Sequence, residues 1–269
     1  EARTAVDGLL GHRVLRRRSA EVTAESALRG ARASAELEGA GIELERLRGQ
    51  LMNGQPVTVQ SADVRLSQVV ANAVRLHADL GSVLAAWHGS PRQALAKLHL
   101  LAAADLEIPD EALGRPRTKA TDPVDDPLDL GAPPDPLEVS ARLDGLSRLL
   151  LAPSAAPAVV VAAVVHGELL ALRAFGSVDG LVARAASRLV LIDRGLDPKA
   201  VSSPEVGYAE LDAAGLRASH GHAYASAAKG YVHGGRDGLT AWLVHCAQAV
   251  ALGAQEGVAV CQAILRETA

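Results

Sequence analysis

The chain has 269 residues, of which 49% are hydrophobic, 22% charged and only 2% aromatic. This composition is ordinary for a globular protein with a sizeable core, and so few aromatic rings argue against stacking platforms for single-stranded nucleic acid. The net charge of -4 gives no general attraction to nucleic acid or to anionic membranes. The most apolar stretch, 149–165, contains Pro153 and Pro157 and is not expected to span a membrane. Two isolated cysteines and a charged start without a signal peptide predict a cytoplasmic protein.

Helical periodicity dominates the chain, so the predicted fold class is all-α. Helices are predicted over 20–51 with a break at Gly39 and Gly41, over 61–87 with Ser61 as the N-cap, from Pro91 onward with Ser90 as the N-cap, and over 137–150, 156–172, 181–193, about 204–232 and 237–266. The segment 114–136 is rich in Pro and Asp. It is predicted to be a loop, either irregular or holding a short hairpin.

Two of these helices are predicted to lie at the centre of the fold. The helix over 156–172 is apolar on nearly every face, which is typical of a helix in the middle of a bundle. The helix over 181–193 carries Arg184 and Arg188 one turn apart. A Gly-containing loop, 173–180, connects the two and enters the second helix at its N-terminus. Backbone N–H groups at a helix N-terminus bind anions, so this loop is a candidate anion site.

From the first central helix to the end of the second, the sequence resembles the Fic family. That family has the motif His-Pro-Phe-x-Asp-Gly-Asn-Gly-Arg-x-x-Arg between two apolar helices, the second of which ends in Gly-Leu. Residues 173–184 align with this motif without a gap, and the matching residues are Phe175, Gly180, Arg184, Gly195 and Leu196.

Three further matches lie upstream of this motif. Leu98 and His99 resemble a Leu-His pair of an upstream Fic helix, Gly114 and Arg117 the start of the segment called the flap, and Ser34, Glu38 and Gly39 an inhibitory motif. The resemblance implies a single Fic-fold helical domain over 1–269. Its parts would be N-terminal helices with the inhibitory motif at 1–55, a core at 56–250 with the flap at 114–136, and the end of a C-terminal helix at 251–269.

The loop lacks several residues that carry the chemistry of Fic enzymes. The family's His is the general base for AMP transfer from ATP, and the matching Arg173 stays protonated and cannot accept a proton. Ser177 replaces the metal-binding acid and is a poor Mg²⁺ ligand, while Asp179 adds negative charge where phosphates would lie. Val178 replaces a Gly and, being β-branched, is predicted to avoid positive φ. Because Leu181 also replaces a phosphate-binding Arg, AMP transfer is not expected.

The resemblance also implies an inhibitory contact. Ser34 and Glu38 lie one helical turn apart on one face, and in the family this Glu pairs with the second Arg of the motif, here Arg184. With no activity left to inhibit, these three residues are predicted to form a structural clasp between the N-terminal helix and the core.

The candidate nucleotide- or anion-binding residues are Phe175, Gly176, Gly180 and Arg184, and the degenerate catalytic positions are Arg173, Ser177 and Asp179. The alternatives for Arg173 are an anion ligand, a cap on carbonyl groups, or an ion pair with an acid such as Asp179. No metal site is predicted, and the one cofactor considered is ATP or another nucleotide bound without Mg²⁺.

The remaining histidines are interpreted as structural. His166 on the first central helix is interpreted as a core residue. The spacing of His220, His222 and His233 fits no standard metal site and is interpreted as a surface turn.

The leading functional hypothesis is a Fic-fold protein without AMP-transferase activity that acts as a regulatory or protein-interaction module and binds a nucleotide or another anion. The flap, 114–136, is either the site of a protein partner or a mobile connector, and a homodimer is the other association considered. The alternative is a transferase with a different base or a different phosphate-containing donor. A third hypothesis is a helical adaptor that binds no small molecule.

Overall fold

The computed structural model describes residues 1–120, 123, 125–219 and 221–266. Within them the chain forms twelve α-helices, a short 3-10 turn at Arg13–Arg16 and no strand. The helices are α1 (Ala2–Leu10), α2 (Ser19–Glu36), α3 (Leu44–Met52), α4 (Val64–Ala78), α5 (Leu80–Gly89), α6 (Pro91–Ala102), α7 (Pro136–Leu151), α8 (Ala158–Leu172), α9 (Asp179–Asp193), α10 (Pro204–Arg217), α11 (Ala223–His233) and α12 (Gly235–Arg266). The all-α prediction is therefore confirmed, and the hairpin alternative is wrong for the described residues of 114–136. No described helix is long and apolar enough to cross a membrane.

Several predicted helix boundaries are corrected by the structure. The N-cap of α4 is Asp63, whose carboxylate accepts the Arg65 N–H at 2.9 Å, whereas Ser61 bonds the Asp63 N–H before the helix begins. The helix predicted over 61–87 is two helices separated at Asp79. The helix predicted over 204–232 is also two, because Ser219 and Gly221 have positive φ and turn the chain between the two helices.

The central pair of helices is α8 and α9, as the sequence predicted. They lie against each other, and 11 of the 15 residues of α8 and 13 of the 15 residues of α9 are buried. On one side α9 contacts α2, α4, α5 and α6, and on the other α8 contacts α11 and α12. A helix that is apolar all round is stable only when neighbours cover every face, which explains this central position.

The N-terminal helix α2 is built into this core. It packs against α4, α9, α10 and α12. Seven of its residues are buried, and they are mostly small: Val22, Ser26, Gly30, Ala31, Ala33, Ser34 and Ala35. Small side chains let helix axes approach closely, and Ser34 in the last turns of α2 reaches Arg184 of α9.

Candidate anion-binding site

The loop between the two central helices has three residues with positive φ. Arg173 ends α8 in the left-handed conformation at φ 41, Gly176 has φ 73, and Val178 precedes α9 at φ 46. The prediction that Val178 avoids positive φ is thus wrong: its side chain is fully buried, and tertiary packing overrides the local preference. Asp179 closes the loop, since its Oδ1 accepts the Phe175 N–H at 3.0 Å. The helix α9 therefore starts at Asp179, two residues before the predicted Leu181.

Arg184 lies one turn into α9 and is completely surrounded. Its Nε donates to Ser34 Oγ at 2.8 Å, and its Nη2 donates to the Ser34 carbonyl at 2.9 Å and to Glu38 Oε1 at 2.5 Å. Its Nη1 donates to the Tyr224 hydroxyl at 3.2 Å. The side chains of Arg184 and Glu38 are only 1% and 6% exposed. Burial raises the pKa of Glu38, an effect that the neighbouring guanidinium opposes.

Gly180 makes room for the Glu38 carboxylate. A Cβ at this position would overlap Glu38 Oε1 and crowd Arg184. The absence of a side chain at 180 thus lets the carboxylate lie directly over the first turn of α9. A negative charge is favourable there because the helix dipole is positive at its N-terminus.

A network of polar and aromatic side chains continues behind Arg184. The His166 Nε2 bonds the Tyr224 hydroxyl at 2.8 Å, and its Nδ1 bonds the Tyr208 hydroxyl at 3.2 Å. The Trp242 ring packs edge-on against the imidazole. Burial lowers the pKa of His166 well below its usual value, so the imidazole is neutral. The neutral His166 therefore helps to fix the Tyr224 hydroxyl, which in turn accepts a hydrogen bond from Arg184.

Ser177 and His99 form a hydrogen-bonded pair in front of the loop. His99 Nδ1 accepts the Gly114 N–H at 2.9 Å, so in a neutral ring the proton is on Nε2, which then donates to Ser177 Oγ at 3.2 Å. Burial lowers the pKa of His99 to about 4, and its ring stacks on Phe175 with centroids 4.5 Å apart. Because His99 donates the bond, it does not activate Ser177 as a nucleophile.

Two carboxylates from the flap, Asp125 and Asp126, reach into the site. Asp125 accepts the Val178 N–H, with Oδ1 at 3.1 Å, and pairs with Arg65 of α4. The Asp126 Oδ2 accepts from Arg173 Nη1 at 3.0 Å, and the same Arg173 nitrogen donates to the Gly131 carbonyl at 2.5 Å. Two of the alternatives for Arg173 are therefore formed together. They are an ion pair, with Asp126 in place of Asp179, and a cap on a carbonyl group, that of Gly131.

Arg117 anchors the flap to the end of α8. Its Nε donates to the Arg173 carbonyl at 2.9 Å and its Nη2 to the Pro134 carbonyl at 3.0 Å. Its backbone N–H donates to the Ala174 carbonyl at 2.7 Å. The start and the end of the flap are thereby fixed against the loop.

The space left inside the site is about 20 Å³, which is room for about one water molecule. It is lined by Glu38, Asp125, Asp126, Pro127, Leu128, Leu130, Leu170, Arg173, Asp179 and Gly180. Two polar atoms at this site, Arg173 Nε and Asp179 Oδ2, are buried and have no partner within the described part of the chain. Burial raises the pKa of Asp179 to about 7, and the nearby Asp125 adds to this shift.

The Mg²⁺–ATP that the Fic motif implies does not fit these residues as they are arranged. Arg184 is fully engaged by Ser34, Glu38 and Tyr224, and Asp125 covers the Val178 N–H. The hydroxyl at the metal position, Ser177, is bonded to His99. Among the described residues, no group of three or more His, Cys, Asp or Glu side chains is arranged to hold a metal ion.

His222 and His233 are held by contacts outside the loop between α8 and α9. His222 pairs with Asp212 at 2.7 Å, and His233 Nε2 bonds the Leu130 carbonyl at 3.1 Å. His220, which the sequence interpretation grouped with them, is outside the described residues.

Comparison with known structures identifies the fold. A Fic family protein from Desulfovibrio desulfuricans superposes with a TM-score of 0.71 at 17% sequence identity, covering 96% of this chain and 73% of that protein. Fic-1 from C. elegans gives 0.67 at 16% identity, covering 97% and 71%, and a Fic domain containing signaling protein from Bacteroides thetaiotaomicron gives 0.64 at 13%, covering 97% of each. No protein-family model and no curated protein sequence matches the chain. The chain has the Fic fold, as its central motif predicted.

Sequence reasoning missed several members of the site. It did not single out Arg65, Asp125, Asp126 or Tyr224, and it assigned His99 no role in the loop. The acidic composition of 114–136 was the available signal for the two aspartates. Nothing in the local sequence indicates that they fold back onto the loop after α8.

Proposed function

We propose that this Fic-fold chain is a pseudoenzyme, a regulatory or protein-interaction module that binds an anion at the α8–α9 loop and does not transfer AMP. The observation that carries the proposal is the identity and the burial of Arg173. At the position of the catalytic base, this chain has a guanidinium that is 4% exposed and tied to Asp126 and the Gly131 carbonyl. A guanidinium remains protonated at any accessible pH and accepts no proton.

The neighbouring groups support the same proposal. His99 Nε2 donates a hydrogen bond to Ser177 Oγ, and Glu38 is paired with Arg184. A general base must lie within hydrogen-bond reach of the attacking hydroxyl with a lone pair available for its proton. Both ring nitrogens of His99 are engaged, and the Glu38 carboxylate is held by the buried Arg184.

The anion site of this module consists of the Val178 N–H, Arg65 and Arg173. Each of these groups bonds a carboxylate of the flap, which supports their ability to bind an anion. The segment 114–136 is then the part of the molecule that a protein partner contacts, with self-association as the other mode, in a single cytoplasmic domain over 1–269.

The test uses Glu38→Gly with ATP carrying a label in its α-phosphate, Mg²⁺ and a cell lysate. In an inhibited but competent Fic enzyme, removal of the inhibitory Glu frees the second Arg and transfer appears. For this pseudoenzyme we expect no labelled product. Circular dichroism verifies folding, and Glu38→Gln provides a second, smaller change. Transfer by either variant above the background of the lysate would refute the proposal.

One observation favours the transferase alternative. Asp179 Oδ2 is buried and unpartnered within the described residues, and a pKa of about 7 suits a general base at neutral pH. If Asp179 replaces the missing His, the Glu38→Gly protein transfers AMP, and the additional change Asp179→Asn abolishes that transfer while the protein stays folded.

A further inference from the structure

The two flap carboxylates occupy the anion site in the way that a bound ligand would. Asp125 accepts a hydrogen bond from the Val178 N–H and pairs with the guanidinium of Arg65. Asp126 pairs with the guanidinium of Arg173. Asp126 also accepts the Leu130 N–H at 2.9 Å, which fixes its carboxylate in place. Each contact is one that an oxygen of a phosphate group also makes.

The groups that these two carboxylates bond are all hydrogen-bond donors, and Glu38 and Asp179 also line the space beside them. Val178 is held at positive φ, so its N–H points out of the loop at the start of the 15-residue helix α9. The buried Arg173 keeps one donor, Nε, without a partner in the described part of the chain, and its side chain lines the remaining 20 Å³. Removal of both carboxylates would therefore free a backbone N–H and the two guanidinium groups of Arg65 and Arg173 at once.

We propose that Asp125 and Asp126 are an internal plug, which competes with an external phosphate-type dianion for the α8–α9 loop. This inference rests on the anion site of the proposed function and adds its regulation. The binding of a dianion and the docking of the flap exclude each other, because both use the Val178 N–H and Arg173. A dianion replaces both negative charges of the plug and leaves no guanidinium unpaired, whereas a monoanion replaces one.

The position of the plug couples the site to the flap. Arg117 holds the flap at both ends through the Arg173 and Pro134 carbonyls, and neither bond depends on Asp125 or Asp126. Anion binding thus changes the flap surface while the helical core stays in place. The binding of a partner that recognises the displaced flap would therefore depend on the concentration of the anion.

Pyrophosphate is the probe, and calorimetric titration of the full chain is the measurement. For Asp125→Ala/Asp126→Ala we expect binding at least about tenfold tighter than for the unsubstituted protein. The matched control is Asp110→Ala/Glu111→Ala, which removes two exposed charges from the same connection between α6 and α7, and we expect affinity within about twofold. Adding Arg173→Leu to the first variant should remove the gain. Because alanine substitutions in the flap risk unfolding, Asp125→Asn/Asp126→Asn is measured in parallel.

A second measurement needs no substitution. Saturating pyrophosphate should accelerate hydrogen exchange in peptides that contain Leu130, whose N–H loses Asp126, and leave α8 unchanged. If Asp125→Ala/Asp126→Ala and the unsubstituted protein bind pyrophosphate equally tightly, and Arg173→Leu weakens that binding, the plug is wrong but the anion site is retained. No binding by any variant would overturn both, and neither result bears on AMP transfer, which the labelled-ATP assay decides.

Discussion

Buried charge at the N-terminus of α9 is balanced by side chains from distant parts of the chain. Glu38 follows α2, Arg184 belongs to α9, and Tyr224 lies in the first turn of α11. A buried ion pair is weak evidence for stability, because desolvation of both charges offsets their attraction. It does impose specificity, since each group is costly when its partner is missing.

The clasp predicts a large loss of stability when one partner is removed. Glu38→Ala leaves Arg184 charged, buried and short of its carboxylate, and should lower the free energy of unfolding by roughly 3–5 kcal/mol. Glu36→Ala is the control, because Glu36 is exposed and pairs with Arg32 on the surface, where the loss is at most about 1 kcal/mol. Glu38→Ala/Arg184→Ala should recover part of the loss. Urea denaturation measures all three, and a Glu38→Ala loss no larger than that of Glu36→Ala contradicts the clasp.

Asp179 predicts a pH dependence of stability. Its pKa is raised from 3.8 to about 7 in the folded protein, so the folded state retains a proton that the unfolded state has lost. Stability therefore falls as pH rises from about 4 to about 7 and is constant above that. Asp179→Asn removes the cost of ionising this buried carboxyl. The free energy of unfolding that the variant gains over the unsubstituted protein should therefore be larger at pH 8 than at pH 5 by about 2–3 kcal/mol. Urea denaturation at the two pH values tests this, and an equal gain at both would exclude the raised pKa.

At the scale of helices, close backbone contact joins α10 to α12. A Cβ at Gly207 of α10 would overlap the backbone of Ala249, and one at Gly253 would overlap the Ser203 carbonyl. Glycine in a helix costs about 0.5–1 kcal/mol relative to Ala, so its presence here reflects the packing and not helix propensity. These positions set the distance between the two helices.

This contact yields a prediction with opposite signs at two glycines. Gly207→Ala should lower the free energy of unfolding by about 1–3 kcal/mol, because the helices must separate or shift. Gly8→Ala in the interior of α1 meets no atom within 4 Å and should raise it by about 0.5–1 kcal/mol. Thermal unfolding of both variants provides the measurement. A neutral Gly207→Ala would show that α10 and α12 tolerate a wider separation.

The helices were largely predictable because their burial leaves a periodic signal. The helix ends were less predictable. Ser61 and Asp63 are both good N-cap residues, and in the structure Asp63 is the N-cap of α4. In the site, Glu38 and Arg184 were identifiable from motif spacing. Val178 was misjudged because burial outweighs its backbone preference. Asp125 and Asp126 were missed because the path of a loop depends on contacts made far along the chain.

At the scale of the molecule, the N-terminal helices and the core are expected to form one cooperative unit. The helix α2 contacts α4, α9, α10 and α12, and the pair Glu38–Arg184 bonds the end of this segment to the centre. Separation of 1–55 from the rest would leave a buried guanidinium unpaired and uncover the small-residue face of α2. Both effects oppose independent unfolding of the N-terminal part.

A single cooperative unit has a defined signature in hydrogen exchange. Amides in the middle of α2, α8 and α9 should all exchange with the same free energy, equal to the global value from urea denaturation, because none of these helices opens without the others. Circular dichroism and tryptophan fluorescence should then give coincident unfolding curves. Amides of α11 serve as an internal comparison, because only two of its residues are buried and they should exchange through smaller openings. A lower exchange free energy for α2 than for α8 and α9 would mean that the N-terminal helices detach first. The single domain over 1–269 would then be wrong, although the Fic fold of the core would remain.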